Sequence, residues 1–287
     1  MKHSKAIIVL LLLGLYLQGW SAPGCEPRAQ RFIGDLEIEH PVPIIWSELE
    51  PGLFYTSLIF NRRDTNQKIM LAALAVDPRK FRLSLLETSE TGRTSPGWVH
   101  AMGDKAGAIA AVNGSFYLSE TYEPIGLLVS RGKVRHQYRS AAGSGVFRNS
   151  QGLAHIDWAK DYSPAWDRDD LALQAGPLLI EPGRKPGIFQ NARKYRSRTA
   201  VGIDGRGRAV LVCTFRESGV EEDFSGLDLF ELMEILLLAE ERGGLGLKAA
   251  LNLDGGTSSA MYINHPRLQL DIRSTHPVSN AIAVFQK

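Results

Sequence analysis

Along most of this chain, apolar positions fall in short runs separated by turn-forming residues. "LFYTSLIF", "KIMLAALAV" and "FRLSLLE" follow one another between residues 53 and 87, and runs of this length and composition predict strands. "AIAAVNGSFY" reads as a buried strand running into a turn. "IGLLVSRGKVRHQY" reads as a hairpin turning at Arg131-Gly132, and "SGVFRN" with "GLAHIDW" as a second pair. "LALQAGPLLI", "RTAVGIDGRGRAVLVCTF", "AALNLD", "SSAMYIN" and "NAIAVFQ" are further strand patterns.

Helical signals are few. "SPGWVHAMGDKAG" offers Ser95 as an N-cap, Pro96 at the first helical position, and Gly103 and Gly107 as stops. "SGLDLFELMEILLLAEERGG" predicts one long, mostly buried helix near residues 226–242. Ser225 would be its cap, Asp228, Glu231 and Glu234 its narrow polar stripe, and Gly243-Gly244 its stop. The order is not a regular alternation of strand and helix, no solenoid repeat is present, and no shift in composition marks a linker. These patterns predict an α+β fold: a single domain on mixed or antiparallel β-sheet with few helices. The domain is expected over 51–287, after a polar, proline-containing lead-in at 25–50.

The N-terminus has a different character. "MKHSKAIIVLLLLGLYLQGWSAPGC" places two lysines before an apolar stretch and small residues after it, the layout of a secretory signal peptide over 1–24. The apolar stretch is about twelve residues, short for a membrane span. "SAPGC" resembles a lipoprotein processing site without its usual leucine, which makes Cys25 a lipidation candidate. The expectation is an exported protein of the periplasm or cell envelope, anchored to membrane by lipid at Cys25 at most; ordinary secretion and a Cys25–Cys213 disulfide are the alternatives. Cys213, inside "AVLVCTF", reads as a small buried hydrophobe. A net charge of +2 over 287 residues gives no reason to expect a nucleic-acid partner.

Four polar clusters sit at the ends of apolar strands. They are Asn113-Gly114-Ser115-Phe116-Tyr117, Gln174-Ala175-Gly176-Pro177, Arg198-Thr199-Ala200-Val201-Gly202, and Asn252-Leu253-Asp254-Gly255-Gly256-Thr257-Ser258-Ser259. Glycine beside a polar residue lets backbone approach a ligand and offers open N–H donors. Each cluster alone could be a turn, because Asn-Gly and Asp-Gly are frequent hairpin dipeptides. Turns do not, however, require Gln-x-Gly-Pro and Arg-Thr-Ala-x-Gly to accompany them. Asp254 could cap its own turn, and Arg198 belongs to a basic run with Arg193, Lys194 and Arg196 of the kind that is usually solvated. Glu217 is either a second acid or a loop residue. The seven histidines show no HExxH spacing, and no Gly-x-Ser-x-Gly signal is present, so neither a metal nor another cofactor is expected.

"AVNGSFY", "IGLLVSRGKV", "QAGPLLI", "RTAVGID" and "LNLDGGTSSAMYI", in this order over residues 70–287, resemble the phosphodiester glycosidase family of N-acetylglucosamine-1-phosphodiester α-N-acetylglucosaminidase-like domains. The resemblance implies an α+β domain that cleaves a sugar from a sugar-1-phosphodiester. The residues fit that chemistry. The leaving group is a phosphate monoester with a second pKa of about 6. It departs with little help from a general acid, unlike the leaving group of an ordinary glycosidase with its two carboxylates. Asp254 would supply the carboxylate and Arg198 the phosphate contact. Binding candidates are Asn113, Gly114, Ser115, Gln174, Gly176, Thr199, Asn252, Gly255, Gly256, Thr257, Ser258, Ser259 and Asn280. The expected substrate is a phosphate-linked glycan of the envelope or the extracellular space; the other reading is a non-catalytic envelope protein that binds glycan in the same pocket.

Overall fold

The computed structural model describes residues 32–87, 96–215 and 226–287. The signal-peptide reading, Cys25, Ser95, Glu217 and Ser225 lie outside them. The described residues form three sheets in which every strand pairing is antiparallel. The fold is richer in β-structure than the α+β expectation: among the described residues, twenty strands stand against two α-helices. The strand runs at 53–62, 67–76, 81–87, 199–203, 209–215 and 280–286 are all realised, and both expected hairpins form. Their turns place Arg131-Gly132 and Gln151-Gly152 at positive φ. Residues 32–50, read as a lead-in, add three short strands to the first sheet, because Ile33, Leu36 and Leu49 are apolar enough to be buried.

The first and largest sheet is covered on one face by α2 (Leu229–Leu237), with Leu232, Ile235 and Leu236 in that core. The predicted long helix is therefore shortened. The chain breaks at Leu238 and turns back, and the returning segment takes up the helix's terminal carbonyls: Leu245 N–H donates to Ile235 and Leu247 N–H to Leu236, at 2.9 and 2.8 Å. A single 3₁₀ turn, Glu240–Arg242, fills the gap and ends on Gly243 in the left-handed region. The observed cap is Asp228, in a capping box with Glu231. The other face of the first sheet contributes to a second core shared with the remaining two sheets, in which Leu74, Phe147, Leu211, Leu251 and Val284 are buried together.

The first helix, α1 (Val99–Ala106), packs on the third sheet. Gly107 stops it at φ 66°, as expected. Pro96 precedes the helix rather than opening it, and Gly103 lies inside it instead of ending it. A side chain at Gly103 would meet the Tyr262 ring at 2.7 Å, so this glycine serves close packing. Cys213 is fully buried as expected, and burial pushes its thiol up to about 12.

Candidate functional site

Antiparallel register brings the four polar clusters to one pole. Asn113 ends its strand opposite Ala281, and Asn280 opens the strand beside it. Asn252 ends its strand opposite Ala200, one residue from Thr199. Ala175 faces Gly145 in the second sheet, so Gly176 leaves that sheet at the same pole.

Amide and hydroxyl side chains then tie the three sheets together. Asn113 is fully buried and is the hub. Its Oδ1 accepts from Thr199 Oγ1 at 2.6 Å and from the Ala260 N–H at 3.0 Å, while its Nδ2 donates to the Asp254 carbonyl at 2.7 Å. The Asp254 N–H donates to the Gly114 carbonyl. Asn280 Oδ1 accepts from the Ser115 N–H, and its Nδ2 donates to Ser115 Oγ, both at 3.0 Å. A Cβ on Gly114 would lie 1.9 Å from Asn280 Oδ1, so no other residue fits there. Asn252 Nδ2 holds the Gly176 carbonyl at 2.9 Å. Gln174 is turned inward: it donates to the Arg139 and Gly143 carbonyls and accepts from the Leu127 N–H. The structure thus brings these residues to one place, with most of their polar atoms occupied by protein partners.

At this pole Asp254 lies in the turn after its strand. Its Oδ1 accepts from the Gly255 N–H at 3.0 Å. Burial raises its carboxyl above the usual carboxylate range, partly offset by hydrogen bonds from Ser258 and the Gly255 N–H. Ser258 Oγ lies 3.4 Å from the Tyr117 hydroxyl, which also donates to the Pro277 carbonyl at 2.9 Å. Tyr117 stacks on Tyr122 at a centroid distance of 5.2 Å. Thr257 is exposed at the rim. Ser259 Oγ and Asn252 Oδ1 are buried without a protein partner, as is Ser279 Oγ beside Asn280. Unpaired buried acceptors and hydroxyls are rare and call for a partner from solvent or ligand.

Two expectations change in this geometry. The glycine N–H groups do not form an open anion cradle. Gly255 donates to the Asp254 carboxylate and Gly256 to the Ser197 carbonyl at 2.7 Å, because the turn folds directly onto the 197–198 segment. Gly255 permits that contact, since a Cβ there would sit 3.1 Å from the Ser197 carbonyl. Arg198, in turn, is not a solvated member of its basic run. It is half-buried, and burial lowers its ordinary pKa while Asp228 partly offsets that. Its Nε donates to the Leu227 carbonyl at 2.9 Å and its Nη2 to the Lys194 carbonyl at 2.6 Å. Its side chain runs beside Gly255, with Cδ 3.9 Å from where a Cβ of that glycine would stand.

Tyr117 and Ser144 were missed as site residues. Tyr117 stood in a quoted cluster, but nothing in its spacing shows that it reaches Ser258. Ser144 Oγ accepts from the Leu178 N–H at 2.8 Å, and a strand-end serine carries no signal for that. Among the described residues, no group of three or more His, Cys, Asp or Glu side chains is placed to hold a metal ion.

The arrangement is a partly buried carboxylate with hydroxyl neighbours, an arginine nearby, and a neutral hydrogen-bonded frame. Similar folds occur among solved structures. The catalytic domain of zebrafish N-acetylglucosamine-1-phosphodiester alpha-N-acetylglucosaminidase, in a form auto-inhibited by its pro-peptide, is 18% identical. It matches with a TM-score of 0.66, covering 92% of each chain. A hypothetical protein from Synechocystis matches at a TM-score of 0.56 with 18% identity, over 87% of this chain and 64% of its own. A putative exported protein from Burkholderia pseudomallei matches at 0.56 with 13% identity, over 94% of this chain and all of its own. These likenesses concern the fold. In sequence, the uncharacterized protein YigE of Escherichia coli K12 is 26% identical over 160 residues, which cover 50% of this chain and 61% of that relative. The phosphodiester glycosidase family profile matches residues 106–285, well over half of the chain and the whole polar pole from Asn113 to Asn280. The chain belongs to the phosphodiester glycosidase family.

Proposed function

We propose that this protein is an exported hydrolase that cleaves a sugar from a sugar-1-phosphodiester in envelope or extracellular glycans, with Asp254 acting at the anomeric carbon. One observation carries the reading: Asp254 is a partly buried carboxylate, raised by desolvation, fixed at a pole where neutral amides hold the backbone of all three sheets. Water supplies the hydroxyl that ends on the sugar, and the phosphate monoester leaves with the bonding electrons. Because that group is a good leaving group, one carboxylate suffices, serving as nucleophile, base or stabiliser of an oxocarbenium-like state. Arg198, beside Gly255, is the phosphate contact, with three of its five N–H donors beyond the two carbonyl bonds. Ser258, Thr257 and Ser259 provide hydroxyls toward sugar or phosphate. The solved zebrafish relative named above acts, by its name, on such a phosphodiester, which supports this substrate class.

The deciding experiment measures release of free sugar from a panel of sugar-1-phosphodiesters by the wild-type chain and by Asp254→Asn. Turnover on at least one substrate, lost in the variant, supports the assignment. Binding without turnover would make the protein a glycan-binding module. Export and lipidation at Cys25 rest on the N-terminal pattern; mass spectrometry of the mature N-terminus tests them, and an unmodified start elsewhere would exclude the anchor.

A further inference from the structure

A cleft lies between the second and third sheets, away from the Asp254 pole. It has a volume of about 330 Å³, and its lining includes Arg82 and Ser84 of the Phe81–Glu87 strand, Arg131 of the 131–132 turn, Asn149 of the Gly145–Ser150 strand, Asp170 and Lys287. Asn149 lies four residues along its strand from Gly145, about 13 Å at the usual rise. Ser84 pairs with Ala283, three residues or about 10 Å from Asn280. The cleft is thus separate from the Asp254 pole and shares no residue with it.

Its polar groups point to a ligand. Asn149 is 3% exposed, yet its Oδ1 has no hydrogen-bond partner. Ser84 is equally buried in the same lining. An apolar residue at position 149 would serve a core better, since a buried unpaired amide oxygen is costly. The charges are arranged around these neutral groups. Arg82 lies over the Phe285 ring at 4.2 Å, which holds its guanidinium flat. Arg131 projects from a tight turn and is exposed. Of the other charged groups, Lys287 Nζ donates to the Pro78 and Arg79 carbonyls, and Asp170 accepts from the Gln151 N–H while keeping its negative charge, which the two arginines outnumber. Two arginines are therefore left to meet a ligand.

We infer that this cleft binds a phosphorylated sugar unit. The two guanidinium groups suit a phosphate. The amide and the hydroxyl each both donate and accept, as adjacent sugar hydroxyls do; inorganic phosphate, though its P–OH can donate near neutral pH, brings no ring hydroxyls to pair with both groups at once. The volume lies at the lower end of small-ligand pockets, about 300 Å³, and suits one ring rather than an oligomer. The inference stands whether or not Asp254 is catalytic.

The test follows the Asn149 side-chain amide resonance in an isotope-labelled full chain, assigned by its absence in Asn149→Leu. The probes are glucose 6-phosphate, glucose and inorganic phosphate. Glucose 6-phosphate should shift the resonance in a saturable way, glucose and phosphate should act at least about tenfold more weakly, and Arg131→Gln should weaken the effect about tenfold. Sugar release, measured in parallel, should be unchanged in both variants. Asn149→Leu should keep or raise the melting temperature, because it removes an unpaired buried group. The inference is overturned if glucose 6-phosphate leaves the resonance in place or Arg131→Gln changes nothing. Inorganic phosphate acting as strongly as the sugar phosphate overturns it too, and so does a lowered melting temperature in Asn149→Leu, which would show that the amide is structural. Arg131 is on the surface, so its variant decides the question even if Asn149→Leu fails to fold.

Discussion

The Arg62–Glu231 pair and the Asp254 pole are both polar clusters set into apolar strands, and they treat charge in opposite ways. Arg62 is 1% exposed and makes two bonds to Glu231, at 2.6 and 2.8 Å. It also donates to the Gly226 carbonyl and lies 3.8 Å from the Tyr195 ring centroid. Glu231 returns to the Asp228 N–H, and Asp228 caps α2 and accepts from the Lys194 N–H. The Arg62 and Glu231 charges pair with each other, although Arg62 Nε has no hydrogen-bond partner. At the Asp254 pole the frame is neutral, made of Asn113, Thr199, Asn252 and Asn280, and the one acid is met by a serine and a backbone N–H. A paired charge fixes structure; an unpaired one, held at a raised pKa, is available for chemistry. Arg198 lies between the two clusters, bonded to the Leu227 and Lys194 carbonyls of the first and packed beside Gly255 of the second.

The comparison breaks most sharply at the ion pair. Arg62→Met leaves Glu231 buried and unpaired and should cost about 3–5 kcal/mol in urea unfolding. Adding Glu231→Leu should restore most of that, short by about 1 kcal/mol for the lost half of the capping box. A single variant as stable as wild type would remove the pair from the structural side of the contrast. On the other side, Asp254→Asn should lower turnover at least about a hundredfold on phosphodiester substrates while leaving the fold intact. A folded variant with near-normal turnover would deny Asp254 its role and turn attention to Glu217. Between the two, Arg198→Lys should cost about tenfold on phosphodiesters, since lysine lacks the planar fork. A neutral aryl glycoside, where it is turned over, should show a smaller loss. Equal losses on both substrates would assign Arg198 to the scaffold alone.

Much of this contrast was legible in the chain. Strand runs and the two hairpins follow from period, length and the Arg-Gly and Gln-Gly turns, and the polar clusters were visible as glycine-flanked interruptions of apolar strands. Antiparallel register then made them neighbours. What the pattern could not carry was the direction of individual bonds. Gly255 and Gly256 look like open N–H donors until the turn is seen to fold onto Ser197, a contact set by tertiary packing. The stripe of Asp228, Glu231 and Glu234 gives no sign of an ion pair, because the partner of Glu231 is Arg62, a residue 169 positions away. The long helix was misjudged for a similar reason: its sequence is helical through Leu238, but the returning 245–247 segment competes for its last carbonyls.

The smallest expected effect tests the unpaired state of Asp254 directly, through stability rather than turnover. Its carboxyl is raised in the folded chain by burial, whereas the unfolded chain titrates near the ordinary value of about 3.9. Between those two values the native protein holds a proton that the unfolded chain has released. Stability therefore falls as pH rises through that window, and levels off above the folded pKa. Asp254→Asn has no such proton. The variant should gain stability relative to wild type as pH rises above about 4, with the difference becoming constant above the folded pKa. Paired urea unfolding of the two proteins across this range measures it. The wild-type turnover should rise with pH over the same window, as the carboxylate forms. A stability difference of opposite sign would mean that the ionised form is favoured in the fold, by a cation close enough to outweigh burial. Arg198 would be that cation, and the two clusters would then obey one rule instead of two.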